Sequence, residues 1–121
     1  KNPIIDLLPE QKQETDMGGS LRLGANEIKI NQDSLAYKIY NSDKISKRHR
    51  HRYEFNTKYR KEFLKNGMIF SGESDNGKRM EILEIPSHKF FFGVQFHPEF
   101  NSRPGFPEQA FKSFVTASSQ N

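Results

Sequence analysis

Residues 90 to 96 read Phe-Phe-Phe-Gly-Val-Gln-Phe, and no other stretch of the 121 residues restricts the fold as strongly. A nearly continuous apolar run of this length predicts a central strand buried on both faces. Side chains alternate along a strand, so Phe90, Phe92, Val94 and Phe96 are expected on one face and Phe91, Gly93, Gln95 and His97 on the other. Polar groups therefore collect on one face toward the C-terminal end of the strand, where open α/β sheets bind their ligands. Pro107 suits the first position of a last helix, in which Ala110, Phe111, Phe114 and Val115 form one apolar stripe.

Other elements follow from the same patterns. Ile4, Ile5, Leu7 and Leu8 lie between Pro3 and Pro9 and predict a short strand. Residues 10 to 19 are polar loop. Ser20 to Leu23 and Glu27 to Ile30 alternate around Gly24, Ala25 and Asn26, which suggests two strands and a turn. Asp33 is a candidate cap for a helix carrying Leu35, Ala36, Ile39 and Tyr40. Asn56 or Thr57 would cap a helix to Asn66, closed by Gly67, with Tyr59 and Phe63 stacked one turn apart. Met68 to Phe70 and Met80 to Ile85 read as strands joined by a loop holding Gly72, Asp75, Asn76 and Gly77.

Length allows one domain or part of one. Leu, Ile, Val and Phe supply 29 of the 121 residues, about 24%, just above the roughly 20% below which chains tend to stay disordered. The core is expected to be thin. A net charge of only +4 gives little self-repulsion to hold the chain open. With no cysteine, disulfides, thiolate zinc sites and a thiol nucleophile within this chain are excluded together. No run reaches the roughly 20 apolar residues of a membrane span, and the start lacks the features of a signal peptide, so the expected compartment is cytoplasmic. An apolar run almost at once after Lys1, with no initiating methionine, suggests a fragment.

His97 and Glu99 stand two residues apart just past the apolar run. Extended geometry puts such a pair on one side of the chain, and Pro98 restricts both its own backbone and that of His97. A carboxylate accepting from one ring nitrogen fixes the tautomer and raises the basicity of the other, as in the base-and-orienter half of a catalytic triad. The bland alternative is a satisfied histidine at a strand end with an exposed glutamate.

Arg48 to Phe55 alternates strictly, with Arg48, Arg50, Arg52 and Glu54 on one face and His49, His51, Tyr53 and Phe55 on the other. Three arginines on one face need anionic company: acidic neighbours, a carboxylate-bearing ligand or phosphate. A solvated face is the simpler reading, and a small basic nucleic-acid-binding module is an alternative function. That alternative rests on a pI near 9.4 and on residues 44 to 52 with nearby Tyr53 and Phe55, although electrostatics alone gives weak, salt-sensitive affinity for almost any anion. Metal chelation by His49 and His51 with His88 or His97 is disfavoured by the arginines around them, and no metal is expected.

The string Gly93-Val94-Gln95-Phe96-His97-Pro98-Glu99 resembles the C-terminal signature of the class I, triad-type glutamine amidotransferases. Leu8-Pro9-Glu10-Gln11, residues 17 to 24 (Met-Gly-Gly-Ser-Leu-Arg-Leu-Gly), the Arg-His strand and Ser102-Arg103-Pro104 extend the resemblance, in order, over essentially the whole chain. The two internal strings are similar to one branch of the family, whose ammonia passes to an amidoligase domain that uses ATP and Mg2+ to aminate UTP under a GTP effector.

The resemblance implies an α/β fold, a doubly wound, flavodoxin-like sandwich of which residues 1–121 supply the C-terminal half. It implies His97 and Glu99 as two members of a Cys-His-Glu triad. Arg52 would clamp the α-carboxylate of glutamine, with Tyr53 as a weaker backbone contact and Gly18-Gly19 as a structural turn. The family's Gly-x-Cys-x-Gly nucleophile elbow and its glycine-rich oxyanion loop lie upstream of the matching region, and neither they nor the amidoligase domain stands in this chain. The chain alone is therefore expected to be inactive, and the complete enzyme to be a homotetramer. His88-Lys89 stands where the family has His-Pro, a local loop change.

Overall fold

The computed structural model describes residues 1–7 and 22–120. Strands β1 (Ile5–Leu7), β2 (Arg22–Ile30), β3 (Lys44–His51), β4 (Tyr53–Phe55), β5 (Ile69–Ser74), β6 (Arg79–Glu84) and β7 (Phe92–Val94) alternate with helices α1 (Leu35–Tyr40), α2 (Arg60–Lys65) and α3 (Gln109–Ser119). Five strands form a sheet in the order β3-β2-β5-β6-β7, and β1 and β4 form a separate two-stranded ribbon. All described pairings are antiparallel. The β5–β6 hairpin turns through Asp75–Gly77, as Asp75, Asn76 and Gly77 predict, but Gly72, expected in the same loop, lies within β5 and pairs with Ile82.

Several local expectations yield to longer-range partners. The turn expected at Gly24 to Asn26 is absorbed into one nine-residue strand, because β2 pairs with β3 without interruption from Arg22↔His51 to Lys29↔Lys44. Gly24 keeps a positive φ of 85° within that strand. The cap of α1 is Ser34 rather than Asp33, its Oγ accepting from the Tyr37 N–H at 3.1 Å. Asn56 caps the next helical segment as expected, with a 3-10 turn at Thr57–Tyr59 preceding α2. Phe63 packs against Phe55 and Phe70, at 4.9 and 6.0 Å, instead of pairing with Tyr59.

The alternating basic stretch is two strands, not one. It breaks at Arg52, so that β3 joins the main sheet while β4 pairs with β1. Phe92, Val94 and Phe96 face the core as the alternation requires, but β7 is three residues long and pairs only with β6 among the described residues. It is an edge strand here, and its expected burial on both faces is only partial. Pro107 precedes the last helix instead of opening it, with Glu108 as cap. The stripe of α3 expected in the core is largely exposed, Phe114 at 54% and Val115 at 64%. The strings at residues 8–11 and 17–21, the Gly18-Gly19 turn and the 10–19 loop lie outside the described residues.

The buried apolar cluster is small: Ile28, Ile30, Ala36, Ile82 and Phe96, flanked by Tyr37, Tyr40, Ile45, Phe92 and Val94. Buried carboxylates do much of the joining. Glu84 on β6 accepts from the backbone N–H groups of Leu35 and Ala36 at 2.9 and 3.0 Å, holding the free N-terminus of α1 on the sheet. Glu108 accepts from Lys47 Nζ at 2.9 Å and the Tyr40 hydroxyl at 2.6 Å, and caps α3 through Ala110 N–H at 2.8 Å. Burial, reinforced by Glu108, pushes the Tyr40 hydroxyl's pKa up. Glu81 accepts from Arg22, from Ser74 Oγ at 2.7 Å and from His49 Nε2 at 2.7 Å. Burial alone would raise the pKa of Glu81, but His49, Ser74 and Arg22 together hold it at about 2.

Truncating Glu108 leaves the Lys47 ammonium buried among the Tyr40 and Phe96 rings with no counter-charge. Glu108→Ala is therefore expected to cost about 3–5 kcal/mol, read from the midpoint of chemical unfolding; an unchanged midpoint would contradict this account of the pair. Acid should act in two steps. Burial, then the electrostatic influence of the neighbouring His49 and Arg22, lowers the pKa of His51 from 6.5 to about 4. The unfolded chain takes up that proton first, so stability falls as pH drops from about 6.5 to about 4. Glu81 is depressed from 4.5 to about 2, so its contribution is complete above about pH 4.5 and is lost as pH falls through about 2. His51→Phe should remove the upper step, and an identical profile in that variant would show that His51 is not its source.

Candidate active site

The His97-Glu99 pair forms as its spacing requires. His97 is extended at φ −106° and ψ 90°, and Pro98 opens a 3-10 turn, Pro98–Asn101, that folds Glu99 back toward the ring. His97 Nδ1 and Glu99 Oε1 lie 2.6 Å apart. The hydrogen bond from His97 holds the Glu99 carboxyl below its usual range. A carboxylate can only accept, so Nδ1 carries the proton in this bond, and in neutral imidazole Nε2 is then the basic nitrogen. Phe100 stacks on the imidazole with centroids 5.3 Å apart and planes 22° from parallel. The pair is not sequestered: the side chains of His97 and Glu99 are 35% and 55% exposed.

The backbone N–H of His97 donates to the Arg48 carbonyl at 2.9 Å, which ties the pair to the basic strand β3. Along that strand the arginines separate. Arg48 and Arg50 are exposed to solvent, whereas Arg52 is half-buried at the break between β3 and β4, and its Nε is buried with no hydrogen-bond partner among the described residues. An unsatisfied buried guanidinium donor is costly, and a carboxylate ligand would satisfy it in fork geometry. Tyr53 is 49% exposed and stands opposite Leu7 in the β1–β4 ribbon. The strand break thus distinguishes one arginine out of three that look equivalent in the alternation.

The other face of the stretch holds structural partners. Lys47 is consumed by Glu108, and His49 is fully buried between Glu81 at 2.7 Å and the Lys47 carbonyl at 3.1 Å. The His49 and His51 rings meet edge to face at 5.3 Å. Among the described residues no group of three or more His, Cys, Asp or Glu side chains comes together to hold a metal ion, and no helix is long and apolar enough to cross a membrane. Sequence reasoning missed Glu81, Glu84 and Glu108. A signal existed for the first two, charged residues inside an otherwise apolar strand, but it does not say which donors they meet.

The sequence matches the family model described as glutamine amidotransferase class-I over residues 3–117. It is 57% identical over 115 residues to the CTP synthase of Staphylococcus epidermidis, covering 95% of this chain and 22% of that protein. Against the CTP synthase of Archaeoglobus fulgidus it is 53% identical over 116 residues, again with 22% of the relative covered. A solved structure, the Trypanosoma brucei CTPS glutaminase domain with bound acivicin, superposes with a TM-score of 0.84 at 37% identity, over 96% of this chain and 46% of that one. The chain therefore spans about a fifth of the length of the curated relatives and under half of that glutaminase domain. The likeness bears out the expected α/β amidotransferase fold, and the antiparallel sheet described above is the part this chain contributes.

Proposed function

The chain belongs to the class I glutamine amidotransferase family, and on that premise we propose that it is the C-terminal part of the glutaminase domain of a CTP synthase. The observation that carries the reading is the 2.6 Å bond between His97 Nδ1 and Glu99, which leaves Nε2 as the nitrogen that moves protons. A cysteine thiolate is needed as partner, and this chain has no cysteine. That thiolate, from an upstream part of the complete protein, attacks the side-chain amide carbon of glutamine. His97, protonated in the attack complex, gives its Nε2 proton to the departing nitrogen; the C–N bond breaks, and ammonia leaves a thioester behind. Water then attacks the thioester, His97 takes its proton, and the C–S bond breaks to release glutamate and restore the thiolate.

Glu99 keeps the imidazole in the required tautomer and stabilises its charged form. Arg52 receives the α-carboxylate of glutamine on its fork, Tyr53 lends a weaker backbone contact, and the orientation so obtained lowers the barrier by several kcal/mol. The ammonia serves the ATP-dependent amination of UTP to CTP. ATP and Mg2+ belong to the amidoligase domain, GTP acts as an effector of the complete enzyme, a cytoplasmic homotetramer, and no step at His97 passes through them. The chain by itself is inactive.

In the complete polypeptide, His97→Ala is expected to abolish CTP formation from glutamine while synthesis from added ammonia persists; loss of both reactions would refute the assigned role. Arg52→Ala should raise the glutamine KM by about 10- to 100-fold, the scale of losing a charge-assisted contact. An unchanged KM would remove Arg52 from the site.

A further inference from the structure

Gln95 is a polar residue between Val94 and Phe96 in the most apolar stretch of the chain, and its amide lies between two strands that do not pair. Its Oε1 accepts from the Phe55 N–H of β4 at 3.1 Å, and its Nε2 donates to the Met80 carbonyl of β6 at 3.1 Å. The backbone N–H of Gln95 donates to the Glu81 carbonyl at 3.0 Å. The side chain thus acts as an inserted peptide group. It accepts from one strand and donates to another, joining the β1–β4 ribbon to the five-stranded sheet. The ribbon cannot satisfy Phe55 itself, because its own bond at this end runs from the Asn56 N–H to the Ile4 carbonyl at 2.7 Å, on the β1 side of β4.

The consequence is local to the site. Gln95 is two residues before His97, and Phe55 is three residues after Arg52. On the other side of Arg52, the His97 N–H holds the Arg48 carbonyl at 2.9 Å. Two hydrogen bonds from the segment 95–97 therefore bracket the strand break that carries Arg52. We propose that Gln95 is a positioning residue whose amide sets the placement of Arg52 relative to His97, and so the reach of a clamped glutamine's side-chain amide to the imidazole. This rests on the glutaminase reading above. Burial alone would be served as well by Leu or Met at this position. What the amide adds is a fixed spacing between the 95–97 segment, which ends on His97, and β4, which follows Arg52, and displacements of an ångström in such spacing cost up to about 100-fold in rate.

The test uses the complete polypeptide, with glutamine-dependent and ammonia-dependent CTP formation measured side by side. Gln95→Met keeps length and apolar contact but removes both amide bonds. It should raise the glutamine KM about tenfold or more with a smaller fall in kcat, while the ammonia-dependent rate stays within about twofold. Gln95→Glu retains an acceptor for the Phe55 N–H and loses the donor to Met80, so its KM should fall between those of the parent and Gln95→Met. A glutamine KM within about twofold of the parent in Gln95→Met overturns the proposal, as does a parallel loss of both reactions, which would mark Gln95 as structural only. If Gln95→Met does not fold, the KM of Gln95→Glu decides; if neither folds, Gln95 is a stability element and the proposal falls. His97→Ala, run alongside, separates the two readings. Retention of glutamine-dependent turnover in that variant would sink the catalytic role of His97 on which the glutaminase reading rests, whereas its loss beside an unaffected Gln95→Met would sink only the positioning role.

Discussion

Three carboxylates with almost no solvent exposure, Glu81, Glu84 and Glu108, hold this chain in its fold. A carboxylate in the interior is tolerable only when its lone pairs meet donors, and each of these meets two or three. Glu81 gathers Arg22, Ser74 and His49 from three strands; Glu84 seats α1 on the sheet; Glu108 joins α1, β3 and α3. With an apolar cluster of only five buried residues among the described ones, these acceptors specify which elements meet. Apolar contact alone would tolerate other registers. Broken pairs of this kind are expensive because the surviving partner stays buried, so the same arrangement that specifies the fold also makes it intolerant of change.

The candidate site inherits its geometry from this frame. Lys47, held by Glu108, and His49, held by Glu81, fix β3 from beneath; Arg48 and Arg50 alternate with them along the strand, and Arg52 follows at its end. Glu81 also offers its backbone carbonyl to Gln95, two residues before His97, and Ser102, just past the turn that carries Glu99, accepts from the Glu108 N–H at 3.1 Å. The segment from Gln95 to Glu108 is thereby tied at both ends to buried carboxylate residues. Preorganisation of this kind lets a partly exposed histidine keep a defined orientation.

How much could be read from sequence differs by element for a physical reason. The His97-Glu99 pair was legible because its geometry is local: two residues, one proline and extended backbone suffice. The β5–β6 hairpin was legible because its turn residues carry their own conformational preferences. The apolar stripe of α3 was misjudged because burial requires a neighbour, and among the described residues its outer positions, Phe111, Phe114 and Val115, remain exposed. The strand at Phe90 to Phe96 showed the same limit. Its faces were assigned correctly, but its place at the sheet edge depends on which strands lie beside it, and pairing partners leave no mark in a strand's own pattern.

By itself, then, the sequence determined the close pairing of His97 with Glu99, the alternation that sorts core from surface around it, and membership in the class I glutamine amidotransferase family. Tertiary structure alone decided which of three equivalent-looking arginines is half-buried with a free donor, since the chain breaks at Arg52 to join a second sheet. It alone revealed that Lys47 and His49 are internal partners and not part of a basic surface. Gln95 became a bridge by the same route, with donors and acceptors that are 40 and 15 residues away along the chain. Periodicity reports how a side chain points from its own backbone; what it meets there is set by segments that only folding brings close.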